Sequence, residues 1–278
     1  MSKIAVVTGA NQGLGFALAD GLAQKLGPRD VVYLTGRSPD RVRAAVVRVA
    51  RAPAQVRAEL LDVSDGAAVS AFAEMIAERH GGVDIVFSNA AARLTPGTPW
   101  GQLVGPFVDT NNLGTTRVLR ALAPILRPGG RLLVVASDFG SLRRLPEQLH
   151  ERFDTDRMSL DDVDATMLTW RDAVVAGRAA AEGWPEWINI PSKVGQVAAI
   201  RVLARERRAA DARDGTLVAA ICPGLMDTDA SRPWFEDMST AQTPAEAANA
   251  PLRLALDRAA EPRFYGELVQ FGTVIPWR

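Results

Sequence analysis

Apolar positions along this chain follow two rhythms. Ile4–Val7 is a continuous apolar run, as expected of a strand buried on both faces. Residues 31–34, 56–61, 83–87, 132–135, 217–221 and 268–271 read the same way. Between them, apolar residues recur at helical spacing over 16–26, 40–50, 67–79, 101–126, 194–208 and 245–258. Strands separated by single helices imply right-handed parallel crossovers, with helices on both faces of one sheet. The expectation is a doubly wound α/β fold with a mostly parallel sheet of about seven strands. The rhythm breaks over 142–186, which is charged, rich in helix formers and without a convincing strand. This segment predicts a helical insertion, since about 45 residues make a poor independent core. Residues 229–242 read as a loop or short helices, and the whole of 1–278 as a single domain.

Composition narrows the function classes. Lys and Arg total 32 and so do Asp and Glu, so the formal charge is zero and no nucleic-acid partner is implied. The single cysteine, Cys222, excludes an internal disulfide framework. His80 ends a predicted helix and His150 lies in the insertion, so neither suggests a metal site. No apolar run nears the length of a membrane span, and the start at Met1-Ser2-Lys3 lacks a signal-peptide pattern. A cytoplasmic protein without membrane contacts is expected. Positive charge is almost all arginine, with only Lys3, Lys25 and Lys193 as lysines.

The first strand runs into Thr8-Gly9-Ala10-Asn11-Gln12-Gly13-Leu14-Gly15. Glycines at this junction permit a tight turn, close backbone approach to a pyrophosphate and a helix N-terminus aimed at it. A glycine-rich turn without a ligand is the plainer alternative. The second strand leads to Arg37, with Arg41 one helical turn on and no carboxylate at the place that would accept from a ribose 2′-hydroxyl. A guanidinium suits a 2′-phosphate by charge-assisted bonds, which favours NADP (NADPH) over NAD.

These residues, with others in order, resemble the short-chain dehydrogenase/reductase family. Thr-Gly-x-x-x-Gly-x-Gly is matched from Thr8 to Gly15, and Leu61-Asp62-Val63 closes the third strand. Ser88-Asn89-Ala90-Ala91 resembles the family's Asn-Asn-Ala-Gly with two departures. Asn111 with Gly114 matches its Asn-x-x-Gly, Ser137 follows the fifth strand, and Pro223-Gly224 with Thr228 matches the nicotinamide loop. Asn11-Gln12-Gly13, the insertion and Gly183-Trp184-Pro185 bring the chain nearest to the monomeric carbonyl reductases. The resemblance implies cofactor contacts from Gly9, Asn11, Gln12, Gly13, Leu14, Gly15, Arg37, Asp62, Val63, Asn89, Ala90, Lys193, Pro223, Gly224 and Thr228. It implies a small carbonyl substrate, and catalytic roles for Ser137, Lys193 and Asn111.

One departure is decisive for chemistry. The family pairs Tyr-x-x-x-Lys on one helix face. Lys193 is the match for the lysine, and Asn189 stands four residues before it. The chain's only tyrosines are Tyr33 and Tyr265, so no shift of register restores the missing one. An amide can polarise an oxygen but cannot supply a proton at neutral pH. Water, Ser137 or Asp138 could relay it. Three functions follow: an NADPH-dependent carbonyl reductase with an atypical donor, a non-redox enzyme that uses bound NADP structurally, or a silent NADP-binding protein. The insertion, placed just before the active-site helix, predicts a monomer.

Overall fold

The computed structural model describes residues 2–49, 51–257 and 262–278. Its strands are β1 (Ile4–Val7), β2 (Val31–Gly36), β3 (Gln55–Leu60), β4 (Val83–Ser88), β5 (Leu126–Val135), β6 (Leu217–Ile221), β7 (Leu268–Gln270) and β8 (Thr273–Ile275). They form one sheet in the order β3-β2-β1-β4-β5-β6-β7-β8. Every pairing is parallel except β7 with β8. The order reverses between β1 and β4, the crevice where open α/β sheets bind ligands.

Alternation along each strand supplies both faces with apolar residues. Ile4 and Val6 join the core under one set of helices, while Ala5 and Val7 join the other. One face carries α1 (Gly13–Lys25), α2 (Pro39–Arg48) and α8 (Pro244–Leu256). The other carries α3 (Gly66–His80), α4 (Trp100–Val108), α5 (Gly114–Leu122) and α7 (Asn189–Asp214). The expected helix over 40–50 ends within the described part at Arg48, and that over 245–258 at Leu256. Ala50 and Arg258 lie outside the described residues. The first residue, Met1, does so too.

Four expectations need correction. The sheet has eight strands rather than about seven, because Phe271 and Gly272 both take positive φ and fold the chain back into β8. The fifth strand starts at Leu126, where the pairing with β4 is irregular between Val83 and Ile85. The long helix is interrupted by a π turn, Asp109–Leu113, between α4 and α5. Finally, α7 begins at Asn189, five residues earlier than its periodicity suggests, and runs on to Asp214. Pro191 lies in its first turn, where a missing N–H costs no intrahelical bond.

The insertion is helical, with short 3₁₀ turns at Leu142–Arg144 and Glu147–Phe153 followed by α6 (Leu160–Val175). A capping box between Ser159 and Asp162 starts α6. Phe153, Trp170 and Trp184 pack together as the insertion's buried centre. Helix α6 lies against α4 and α7. Trp184 is therefore part of the core.

Candidate active site

The carboxyl ends of β1 and β4 are tied together by Thr8 and Asn89. The Thr8 hydroxyl accepts from the backbone N–H groups of Asn89 at 2.9 Å and Ala90 at 3.0 Å. Asn89 Nδ2 donates to the carbonyl oxygens of Thr8 at 2.9 Å and Gly9 at 3.2 Å. The three loop glycines serve different ends. A side chain on Gly9 would lie 2.7 Å from the Ala90 Cα, and one on Gly15 would lie 2.4 Å from Asn89 Nδ2 and from the Gly9 carbonyl oxygen. Both are required by packing within the loop. Gly13 has φ of +55° and open space where a side chain would stand. It opens α1, and Gln12, the residue just before it, makes no side-chain cap. The first N–H groups of α1 thus lack a side-chain cap, beside a backbone at Gly13 that a ligand can approach.

Those features fit a pyrophosphate, and the surroundings fit the rest of a dinucleotide. Arg37 and Arg41 are exposed beyond the end of β2. Asn11 lies against Gly36, just before Arg37. Asp62 is half-buried, and one of its oxygens accepts from the backbone N–H and hydroxyl of Ser64. Leu14 is buried in the first turn of α1. Val63 is buried against Gly114, where any larger residue would collide with it. On the far side, Pro223 and Gly224 follow β6, and Thr228 exchanges hydrogen bonds with Ser231 at the head of the 229–242 loop.

The catalytic candidates meet where β5, the π turn and α7 converge. Asn189 and Lys193 are one turn apart on α7, roughly 6 Å along the axis. The 3₁₀ turn Asp138–Gly140, capped by Ser137, packs on the same helix. A side chain at Gly140 would come within 2.6 Å of Val197 and 3.0 Å of the Lys193 carbonyl oxygen, so glycine allows this seat. Lys193 Nζ donates to the carbonyl oxygen of Val135 at 3.3 Å. The Asn189 amide makes no hydrogen bond among the described residues and is half-buried. Ser137 Oγ donates to Asp138 at 3.1 Å, and Asp138 also pairs with Arg144. An ion-paired carboxylate accepts hydrogen bonds, so Asp138 has the wrong partners for a proton donor.

Asn111 occupies the middle of the π turn and is buried. Its side-chain oxygen accepts from the Ala92 N–H at 2.8 Å, which holds the loop after β4. Its neighbour Asn112 locks the π turn to α7. Asn112 Nδ2 donates to the Ser192 carbonyl oxygen at 2.8 Å, and the Ser192 hydroxyl returns a bond to Asn112 Oδ1 at 2.9 Å.

Burial sets the electrostatics. Desolvation lowers Lys193 to about 8, offset in part by Cys222. Burial raises the Cys222 thiol, which also accepts from Gln270 Nε2 at 3.2 Å. Neither tyrosine comes near. Tyr33 bonds His80 at 2.8 Å inside the sheet. Tyr265 donates to the Ala204 carbonyl oxygen at 3.1 Å and to Asp211 at 2.7 Å, roughly 16 Å or more down α7 from Lys193.

Sequence reasoning misses several residues of this site. Gln196, Thr115, Asn112 and Ser192 form its buried polar floor. Gln196, three residues after Lys193 on a helix, carries a readable signal, because that spacing makes them neighbours. Phe139, Trp187 and Phe235 form a ring cluster at the rim, with centroids 4.8 and 6.1 Å apart. Trp100 and Trp234 meet at 5.9 Å. These contacts join segments far apart in sequence and have no local signature.

Comparison with known proteins agrees with this geometry. Carbonyl reductase [NADPH] 3 of Rattus norvegicus is 33% identical over 282 residues, covering 99% of each chain. Carbonyl reductase [NADPH] 1 of Mus musculus is 30% identical over 279 residues, covering 99% of this chain and 98% of that protein. Salutaridine reductase from Papaver somniferum shares the fold at a TM-score of 0.77 and 23% identity, covering 96% of this chain and 99% of that one. An alcohol dehydrogenase from Thermococcus sibiricus, complexed with 5-hydroxy-NADP, has a TM-score of 0.62 at 25% identity, covering 97% of this chain and 96% of that one. The family model for short chain dehydrogenases matches residues 3–148. The chain, an oxidoreductase by this kinship, belongs to the short chain dehydrogenase family.

Proposed function

We propose that this protein is an NADPH-dependent reductase of small carbonyl compounds whose proton does not come from a tyrosine. The observation that carries the reading is the meeting of Asn189, Lys193 and Ser137 at the carboxyl end of β5, on the same edge of the sheet as the open Gly13 cradle. The cofactor, when bound, supplies the hydride. Gly13 and the first N–H groups of α1 hold its pyrophosphate, and Arg37 with Arg41 takes the 2′-phosphate. Gly9, Asn11, Gln12, Leu14, Gly15, Asp62, Val63, Asn89 and Ala90 line the adenosine side. Pro223, Gly224 and Thr228 hold the nicotinamide end, and Lys193 the ribose.

Asn189 donates a hydrogen bond to the substrate oxygen and stabilises the negative charge that develops there. Lys193 adds a fixed positive charge one turn away. The proton then reaches the alkoxide from water at the substrate side, since Asp138 is engaged by Arg144. The aromatic rim and the 229–242 loop contact the rest of the substrate. Residues 1–278 act as one NAD(P)-binding unit, and α6, packed on α4 and α7, covers a helix face and keeps the protein monomeric. A tetramer on gel filtration would overturn that last point.

The test is NADPH oxidation, followed at the cofactor's absorbance, against a panel of ketones and quinones. Turnover with at least one of them is expected. Tight NADPH binding with no oxidation across the panel would replace the reductase by a non-redox enzyme or a silent NADP-binding protein on the same scaffold.

A further inference from the structure

Lys193 is not free to turn. An ammonium has three N–H donors. One goes to the Val135 carbonyl oxygen at 3.3 Å, and a second to Gln196 Oε1 at 2.7 Å. Gln196 is 2% exposed, and its other end is also occupied: Nε2 donates to Thr115 Oγ1 at 3.0 Å. The Thr115 hydroxyl in turn donates to the Asn111 carbonyl oxygen at 2.6 Å, inside the π turn. A continuous chain of bonds therefore runs from Lys193 to the π turn through one amide and one hydroxyl. Every polar atom of the Gln196 side chain is used in it.

We propose that Gln196 is the positioning residue for Lys193: it clamps the ammonium against β5, leaves a single N–H to face the ligand, and fills the inner side of the lysine with groups that do not ionise at neutral pH. The amide neither loses nor gains a proton at neutral pH, so no proton passes from the π turn to Lys193 along this chain. Asn189 imposes the same condition on the outer side. Lys193 then works as a fixed cation rather than as a link in a proton relay. This deepens the assignment of Lys193 to the cofactor ribose, but the clamp itself is testable with no cofactor present.

An acceptor bonded to an ammonium favours the charged form, against the desolvation that lowers it. The groups facing Lys193 from each neighbouring element are few. Helix α7 brings the neutral Asn189 and Gln196, α5 brings Thr115, and the π turn brings Asn111 and Asn112. Strand β6 ends beside Cys222, whose thiol stays protonated as burial raises it. The turn after β5 brings Asp138, neutralised by Arg144. Among the described residues, Gln196 is thus the one side chain bonded directly to the ammonium.

The experiment uses the scarcity of lysine. Lysine labelled with ¹³C at Cε gives three signals, from Lys3, Lys25 and Lys193. The signal missing in Lys193→Arg identifies the last. In the wild type its shift should titrate near pH 8. In Gln196→Met, which keeps the volume without the acceptor, the midpoint should fall by about one unit, and in Gln196→Glu it should rise by about as much. The signals of Lys3 and Lys25 report whether the variants remain folded. Identical midpoints in wild type, Gln196→Met and Gln196→Glu would overturn the clamp. NADPH titration of the same samples reads the cofactor assignment separately. Shifted midpoints without NADPH binding would keep the clamp and sink the proposed function, and the reverse would do the opposite.

Discussion

Lys193 Nζ reaches the carbonyl oxygen of Val135 at 3.3 Å, two residues before Ser137. That bond joins the second turn of α7 to the end of β5 and places a cation at the carboxyl edge of the sheet. Burial holds the lysine near 8, well below its ordinary 10.5. If the charged form donates to a ribose hydroxyl as proposed, NADPH affinity should be full below about pH 7 and fall as the pH rises through 8. Fluorescence titrations across that range check it, and a flat profile would remove Lys193 from the cofactor site. Lys193→Ala should weaken NADPH binding by about ten- to a hundredfold.

The stability consequence has the opposite sign. Folding disfavours the charged lysine, so the unfolded chain binds the extra proton between about 8 and 10.5. The contribution of Lys193 to stability should therefore rise with pH in that window. Denaturant melts of wild type and Lys193→Met at pH 7.5 and 10 should show the wild type gaining on the variant. No change in their difference would mean that the lysine is not desolvated.

Asn189 opens α7 with its amide unengaged. If it stands where a proton donor is otherwise required, Asn189→Tyr should raise carbonyl reduction by about 10²-fold, the lower range for a positioned general acid. Steady-state rates with the best substrate of the panel measure this. No gain would show that the pocket around Asn189 does not present a ketone to that position.

Arg37 should decide between the two nicotinamide cofactors. Arg37→Asp exchanges a partner for a 2′-phosphate for a partner for a 2′-hydroxyl. The ratio of NADPH to NADH affinity should drop by about tenfold or more. An unchanged ratio would shift the assignment to Arg41 or away from the phosphate altogether.

Two glycines of one loop should fail differently. Gly13→Ala adds a methyl into open space at a strained φ, costing about 1–2 kcal/mol while blocking the cradle. Gly15→Ala drives a methyl to 2.4 Å from Asn89 and the Gly9 carbonyl oxygen, which disturbs the tie between β1 and β4. Thermal melts should fall more for Gly15→Ala, and NADPH affinity relative to stability should fall more for Gly13→Ala. Equal melts would contradict the packing role given to Gly15.

Much of this is legible in the sequence. Strands buried on both faces announce themselves as apolar runs, and Ile4–Val7 and Leu217–Ile221 stand as read. The start of α7 was not legible, because Pro191 disguises a first turn that tolerates it. Strand β8 was not legible either, since three residues after a turn carry too little pattern. Of the candidate site, the family resemblance points to Lys193, which its rarity supports, and to Asn189 four residues before it. The partners of Asp138 could not, because Arg144 meets it across a turn of 3₁₀ geometry.

The chain's own order of residues determined the doubly wound sheet, the glycine loop after β1, the arginine after β2 and the asparagine, not tyrosine, four residues before Lys193. These follow from local periodicity and from residue types with few alternative uses. Only the tertiary structure decided which loop glycine has open space beside it, that Asp138 is already engaged, and that Gln196 bonds Lys193. Those facts depend on contacts between β1 and β4, between the turn after β5 and α7, and between the π turn and α7. Such contacts are set by three-dimensional packing across long stretches of chain, and no local pattern encodes them.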